Sequence, residues 1–258
     1  MSSRTAGEMT LAEHLAELRS RVIRIVTAVA VGAIVGWFFS DAVIGLLKRP
    51  YCDLPGAFRP DGECALIVTR PLEGFGVRVK VSLVIGLFLA AGMLFHQLWR
   101  FVSPGLTARE RRYTLPFVVL SQVMFAAGAA FAFFVMPKAL RVLIELAGEQ
   151  VAALLSAGEY VSFILSMVVA FGLVFEVPLV VVFLVVIELL NRRQLQRFRP
   201  YAIVANFVIA ALVTPTVDAV TMLLMAGPMV ALYEASILAA WFIERSRARR
   251  SRTAEETG

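Results

Sequence analysis

Four acidic residues stand where a carboxylate has chemistry to do. Glu17 lies in Met9-Thr10-Leu11-Ala12-Glu13-His14-Leu15-Ala16-Glu17-Leu18-Arg19, just ahead of a long apolar run. Glu110 lies in Phe101-Val102-Ser103-Pro104-Gly105-Leu106-Thr107-Ala108-Arg109-Glu110-Arg111-Arg112, between two such runs. Glu176 lies inside one, followed by Val177 and Pro178, and Asp218 closes the turn Thr214-Pro215-Thr216-Val217-Asp218. A carboxylate at a water-facing rim can hold a guanidinium through two parallel hydrogen bonds. An ionised carboxylate inside hydrocarbon costs at least about 2.5 kcal/mol and is a functional hypothesis by default. Each of the four also has a plain reading. Glu17 pairs with Arg21 at i,i+4. Glu110 completes a capping box with Thr107 at a helix start. Glu176 is a protonated, hydrogen-bonded structural residue, and Asp218 caps the helix that follows. Glu234 is a milder case of Glu176.

Other chemistry is sparse. Cys52 and Cys64 are the only cysteines, and in an oxidising compartment they form a candidate disulfide; two free thiols are the alternative. The only histidines, His14 and His96, are far apart in sequence, so no metal site is expected. The sequence has no nucleophile–base pair, no Walker loop, no His-Glu-x-x-His and no Gly-x-Ser-x-Gly pattern. The Gly-Phe-Gly at 74–76 is too short for a nucleotide loop. Neither enzymatic activity nor a cofactor is expected.

The elements that position these residues follow from composition. Of 258 residues, 59% are apolar and 17% charged, against about 45–50% and about 25% for a soluble domain. The mean hydropathy of +0.80 points the same way. An ordinary soluble enzyme has no interior large enough for this much apolar surface. The apolar residues fall in six blocks, read as membrane spans at about 21–40, 80–100, 114–136, 160–190, 200–213 and 218–243. The predicted fold is an all-α integral membrane protein of six transmembrane helices. Helices are favoured because the blocks do not alternate apolar with polar residues, as barrel strands do. Residues 1–20 form a cytoplasmic N-terminal amphipathic segment, with Leu11, Leu15 and Leu18 on one stripe. They do not read as a cleaved signal peptide. Residues 21–243 form the transmembrane domain, and 244–258 a basic, disordered cytoplasmic tail. The apolar part of the fifth block covers only about 20 Å at 1.5 Å per residue, against a hydrocarbon core of about 30 Å. Pro178 and Pro228 are expected to kink their helices.

With six spans, 17 basic residues fall on the side of the termini and 8 on the other. The positive-inside rule places the termini in the cytoplasm. The net charge of +6 is therefore a topology signal, and nucleic-acid binding is not expected.

The motifs, in order and at these spacings, resemble the TatC family, the polytopic subunit of the twin-arginine protein translocase. His14-Leu15-Ala16-Glu17-Leu18-Arg19-Ser20-Arg21 is similar to the family's N-terminal motif. Phe101 to Pro104 with Glu110-Arg111-Arg112 is similar to its first cytoplasmic loop. Ala170-Phe171-Gly172 with Phe175-Glu176-Val177-Pro178 resembles its fourth-helix signature, and Arg199-Pro200-Tyr201 with Thr214-Pro215 the bounds of its fifth helix. The resemblance spans about Met9 to Ile243. It implies a cup-shaped six-helix fold in the cytoplasmic membrane of a prokaryote. It implies a receptor for the twin-arginine signal peptides of folded cargo, driven by the proton-motive force and needing no cofactor. Glu17 and Glu110 would receive the paired arginines, in a patch shaped by Leu18, Arg19 and Phe101. Glu176, with Pro178, would be the intramembrane carboxylate, and Pro50 and Asp218 outer-side structural residues. Thr214 and Thr221 would contact the single-span partners TatA and TatB. Membrane lipids and further copies of the chain are the other implied partners. The alternative reading is a proton- or cation-coupled small-solute carrier built on Glu176. The two differ in which carboxylates are essential: Glu17 and Glu110 at the surface, or Glu176 in the membrane.

Overall fold

The structure, a computed structural model, describes residues 11–53, 64–102, 114–147, 156–213 and 219–256. Among them are eight helices: α1 (Leu11–Leu47), α2 (Arg49–Cys52), α3 (Glu73–Val102), α4 (Thr114–Ala147), α5 (Ala157–Phe175), α6 (Val177–Val186), α7 (Arg192–Val213) and α8 (Ala219–Glu256). Five segments are long and apolar enough to cross a membrane, and α5 with α6 makes up one of them. The 22-residue α7 is not among them, because only its last thirteen residues form an apolar stretch.

Three boundaries differ from the sequence expectation. No break separates an N-terminal segment from the first span, because α1 runs unbroken from Leu11; the leucine stripe and the apolar run share one helical period. The α7 helix begins at Arg192 and continues through Pro200. The tail expected to be disordered continues α8 to Glu256. Its Arg-, Ala- and Glu-rich sequence consists largely of good helix formers, and nothing in it stops the helix.

Glycine sets how closely the long helices approach. A Cβ on Gly86 of α3 would lie 2.5 Å from the Ala33 nitrogen and 2.6 Å from the Val29 oxygen of α1. One on Gly172 of α5 would lie 2.6 Å from the Phe125 ring of α4. Such small-residue contacts are what hold helices together where lipid removes the hydrophobic drive for association. Around these crossings sit three apolar clusters. Tyr51, Val81, Met136, Tyr160 and Ile164 join α2, α3, α4 and α5. Trp99, Phe117, Phe125 and Phe183 join α3, α4 and α6. Val185, Leu195, Tyr233 and Ile237 join α6, α7 and α8. The outward surface carries large apolar side chains such as Phe38, 79% exposed, and Leu212, 81% exposed, as a lipid-facing surface should.

The bundle has two unlike ends. One carries the start of α1, the end of α3 and the end of α6; α8 reaches it through Arg247, whose guanidinium donates to the Val185 and Val186 carbonyls. They lie in the last turn of α6, just before Glu188 in a left-handed conformation (φ 63°), whose own amide also donates to the Val185 carbonyl at 3.1 Å. The opposite end carries a disulfide between Cys52 and Cys64. Pro50 sits there, buried in the first turn of α2, where a missing N–H removes no bond. Tyr160 donates to the Leu47 carbonyl at 2.8 Å, closing the end of α1. Glu73, the first residue of α3, accepts from Thr69 N (2.6 Å), Thr69 Oγ1 (2.9 Å), Arg70 N (3.1 Å), Ser156 Oγ (2.5 Å) and Gly158 N (2.6 Å). It thereby ties the segment before α3 to the start of α5.

Two outcomes follow. Gly86→Val forces α1 and α3 apart and should lower stability by about 1–3 kcal/mol or more; thermal melting followed by size-exclusion chromatography in detergent reads this as a lower midpoint. A membrane-impermeant maleimide should label neither cysteine before reduction, and both Cys52 and Cys64 after it.

Candidate functional site

The end of the bundle near the chain termini holds the first candidate. Glu17 lies on the second turn of α1 and is about one-third exposed. One helical turn on, Arg21 is buried, and its guanidinium donates to Glu17 Oε1 through both Nε (3.2 Å) and Nη2. Its Nη1 donates to the Gln97 carbonyl oxygen (3.1 Å) and to Gln97 Oε1 (3.4 Å) on α3. The i,i+4 pair expected from spacing is therefore present, and it is half of a larger arrangement. A buried guanidinium needs acceptors around it. Gln97 supplies them from a second helix, so the Glu17 side chain is held against α3. Leu18 and Arg19 are exposed beside it. Leu18 is 41% and Leu15 62% exposed, an apolar surface next to the carboxylate. Phe101 lies in the last turn of α3, the helix that presents Gln97. Glu110 lies outside the described residues, so its distance from Glu17 is not part of this geometry.

Glu176 occupies the second position. It ends α5 and begins α6, with Pro178 at the second residue of α6. The break falls where the proline removes the donor that Val174 would have received. The Glu176 amide turns instead to Leu173 O at 3.1 Å. Its half-buried carboxylate lies against Ser121 of α4. Ser121 itself is fully buried and accepts from Trp99 Nε1 at 3.0 Å. Glu176 Oε1 has no hydrogen-bond partner among the described residues. A buried acceptor left in that state is uncommon and calls for a reason. Glu234, the milder intramembrane candidate, is paired with Arg199 of α7; its charge serves the α7–α8 seam.

Thr214 and Asp218 lie outside the described residues. Thr221 falls in the first turn of α8. Among the described residues no group of His, Cys, Asp and Glu has the geometry to hold a metal ion.

Sequence reasoning passed over Gln97, Ser121, Trp99 and Glu73. Gln97 and Ser121 carried a usable signal, since a lone amide or hydroxyl inside an apolar run needs a partner. Which partner each finds depends on the crossing of helices that are far apart in the chain.

Residues 13–228 match the family model described as Sec-independent protein translocase protein (TatC). The protein of that name from Frankia casuarinae is 38% identical over 253 residues, covering 96% of this chain and 70% of the relative. That from Aquifex aeolicus is 39% identical over 232 residues, covering 89% and 93%. A crystal structure of the twin-arginine translocase receptor TatC in DDM superposes with a TM-score of 0.78 at 38% identity, covering 88% of this chain and 99% of the other. The matched stretch contains the Glu17–Arg21–Gln97 arrangement, the helix break at Glu176 and all of α7, and the chain belongs to the TatC family of Sec-independent protein translocases.

Proposed function

We propose that this chain is the receptor subunit of a twin-arginine translocase, and that Glu17 and Glu110 receive the paired arginines of the signal peptide. The observation that carries the reading is the setting of Glu17. Its carboxylate is partly exposed, is fixed by a buried guanidinium and lies on the end of the bundle that the basic residues mark as cytoplasmic. A preorganised carboxylate beside exposed Leu15 and Leu18 suits a peptide that presents arginine followed by apolar residues. Two planar cations call for at least two carboxylates, and Glu110 on the adjoining loop is the natural second. Phe101 and Arg19 border the patch.

In this reading Glu176 and Pro178 place a polar break in the membrane-embedded wall along which cargo passes. Thr214, which follows α7 in the sequence, and Thr221, in the first turn of α8, would contact single-span TatA- and TatB-type partners. Pro50 and Asp218 shape the far face. Several copies of the chain assemble into the receptor complex. The proton-motive force supplies the energy, and no cofactor takes part.

Photo-crosslinking of signal peptides to membranes tests the assignment. A twin-arginine peptide should label the wild type strongly. Glu17→Gln and Glu110→Gln should each reduce labelling roughly tenfold or more, the scale of losing one charge-assisted pair. A twin-lysine peptide should label weakly throughout, since an ammonium cannot form the two-pronged bond. Equal labelling by both peptides in all three proteins refutes the reading. Arg21→Lys keeps the charge and loses the fork that fixes Glu17. Twin-arginine labelling of that variant should fall between wild type and Glu17→Gln.

A further inference from the structure

On the disulfide-bearing end, a cleft of about 420 Å³ opens between α3 and α5, lined in part by Arg70, Glu73, Lys80, Ser156, Glu159 and Ser162. We infer that this cleft binds the phosphodiester headgroup of an anionic phospholipid in the adjoining leaflet, with Lys80 and Arg70 as its cationic contacts.

The charges come first. Lys80 Nζ donates to Ser162 Oγ at 2.7 Å. Ser162 donates its own hydroxyl hydrogen bond to the Gly158 carbonyl, which leaves its lone pair for the lysine. Among the described residues no carboxylate oxygen lies within ion-pair distance of Lys80 or of the Arg70 guanidinium. Glu73 is close at hand, yet it accepts from five donors. A carboxylate has about four lone-pair sites, so Glu73 has none left for a cation. Glu159 is the other carboxylate of the cleft, exposed and outside any ion pair. Neither Lys80 nor the Arg70 guanidinium is thus held by a carboxylate among the described residues, and each can still meet a phosphodiester oxygen.

Depth decides the source of the phosphate. The 30 residues of α3 make a helix of about 45 Å, which overshoots a core of about 30 Å by about 7 Å at each end. Lys80, the eighth residue, then lies a few ångströms inside the hydrocarbon edge, and a lysine there reaches outward to the phosphate level. An aromatic belt marks the same level. Trp37 meets Phe75 at 5.9 Å between ring centroids, and Arg78 lies over Trp37 at 5.2 Å. Leu72, just before α3, and Phe75 and Leu83 on it are 77%, 62% and 48% exposed, a surface for acyl chains. A cation at this depth with no protein counter-ion meets the lipid phosphates first.

Native mass spectrometry of the delipidated full chain tests the site. Phosphatidylglycerol would be titrated against a diglucosyl lipid with the same acyl chains, and against millimolar inorganic phosphate. Phosphatidylglycerol affinity should fall about fivefold for each cation removed in Lys80→Gln and Arg70→Gln, the usual worth of one basic residue at a membrane surface. Lys80→Arg should restore it. Lys138→Gln, which removes a cation lying over Phe134 elsewhere on the bundle, should leave it unchanged. The diglucosyl lipid should bind more weakly and equally to all variants. Two results overturn the inference: affinity in Lys80→Gln/Arg70→Gln equal to that in Lys138→Gln, or displacement of the lipid by inorganic phosphate. The second would show a site for soluble anions. Should Lys80→Gln fail to fold, Arg70→Gln alone carries the test, since that side chain is exposed and makes no contact the fold needs.

Discussion

Inside hydrocarbon no water waits to complete an unpaired N–H or C=O, so each helix end or break must be covered by another part of the chain. Much of this structure answers that demand. The Leu47 carbonyl at the end of α1 receives Tyr160. Where α6 stops, Arg247 reaches the Val185 and Val186 carbonyls from α8. The Arg192 amide, at the first residue of α7, donates to Glu244 at 2.7 Å. In each case the covering group comes from a different helix. The cover that a helix end requires is thus also a tie between helices, and polar satisfaction and bundle assembly are achieved by the same bonds.

The two candidate carboxylates differ in how fully their surroundings are satisfied. Around Glu17 every direction of the buried Arg21 guanidinium is engaged, and the carboxylate it holds still reaches the surface. At Glu176, beside the proline break, one carboxylate oxygen has no hydrogen-bond partner among the described residues. The first arrangement suits a rigid docking point. The second suits a place where the surroundings change as a complex forms.

Much of the fold was legible in the sequence because lipid simplifies the code. Long apolar runs must be helices, and Pro178 beside Glu176 marked the break in the fourth run. The shortness of the fifth run was likewise visible in its thirteen apolar residues. The i,i+4 relation of Glu17 to Arg21 needed only the helical period. What stayed hidden was everything that depends on which helices cross. Gln97 follows Arg21 by 76 residues, and no local pattern joins them. Glu73 went unnoticed in the sequence, since two of its donors, Ser156 and Gly158, lie more than 80 residues away. The helical tail was misread for another reason: charge density alone does not decide order when the charged residues are also good helix formers.

The two fasteners of the disulfide-bearing face differ in the length of chain they close. Cys52 and Cys64 are 12 residues apart, whereas Ser156 and Gly158 meet Glu73 across 83 and 85 residues. Closing a longer loop costs more entropy, and its far partner emerges later from the ribosome. The cysteine pair needs only the first two long helices in place, whereas the Glu73 seam also needs α5. The chain order therefore permits this face to be fastened in two stages, an oxidation on a two-helix intermediate and a hydrogen-bonded seam that closes once α5 is present.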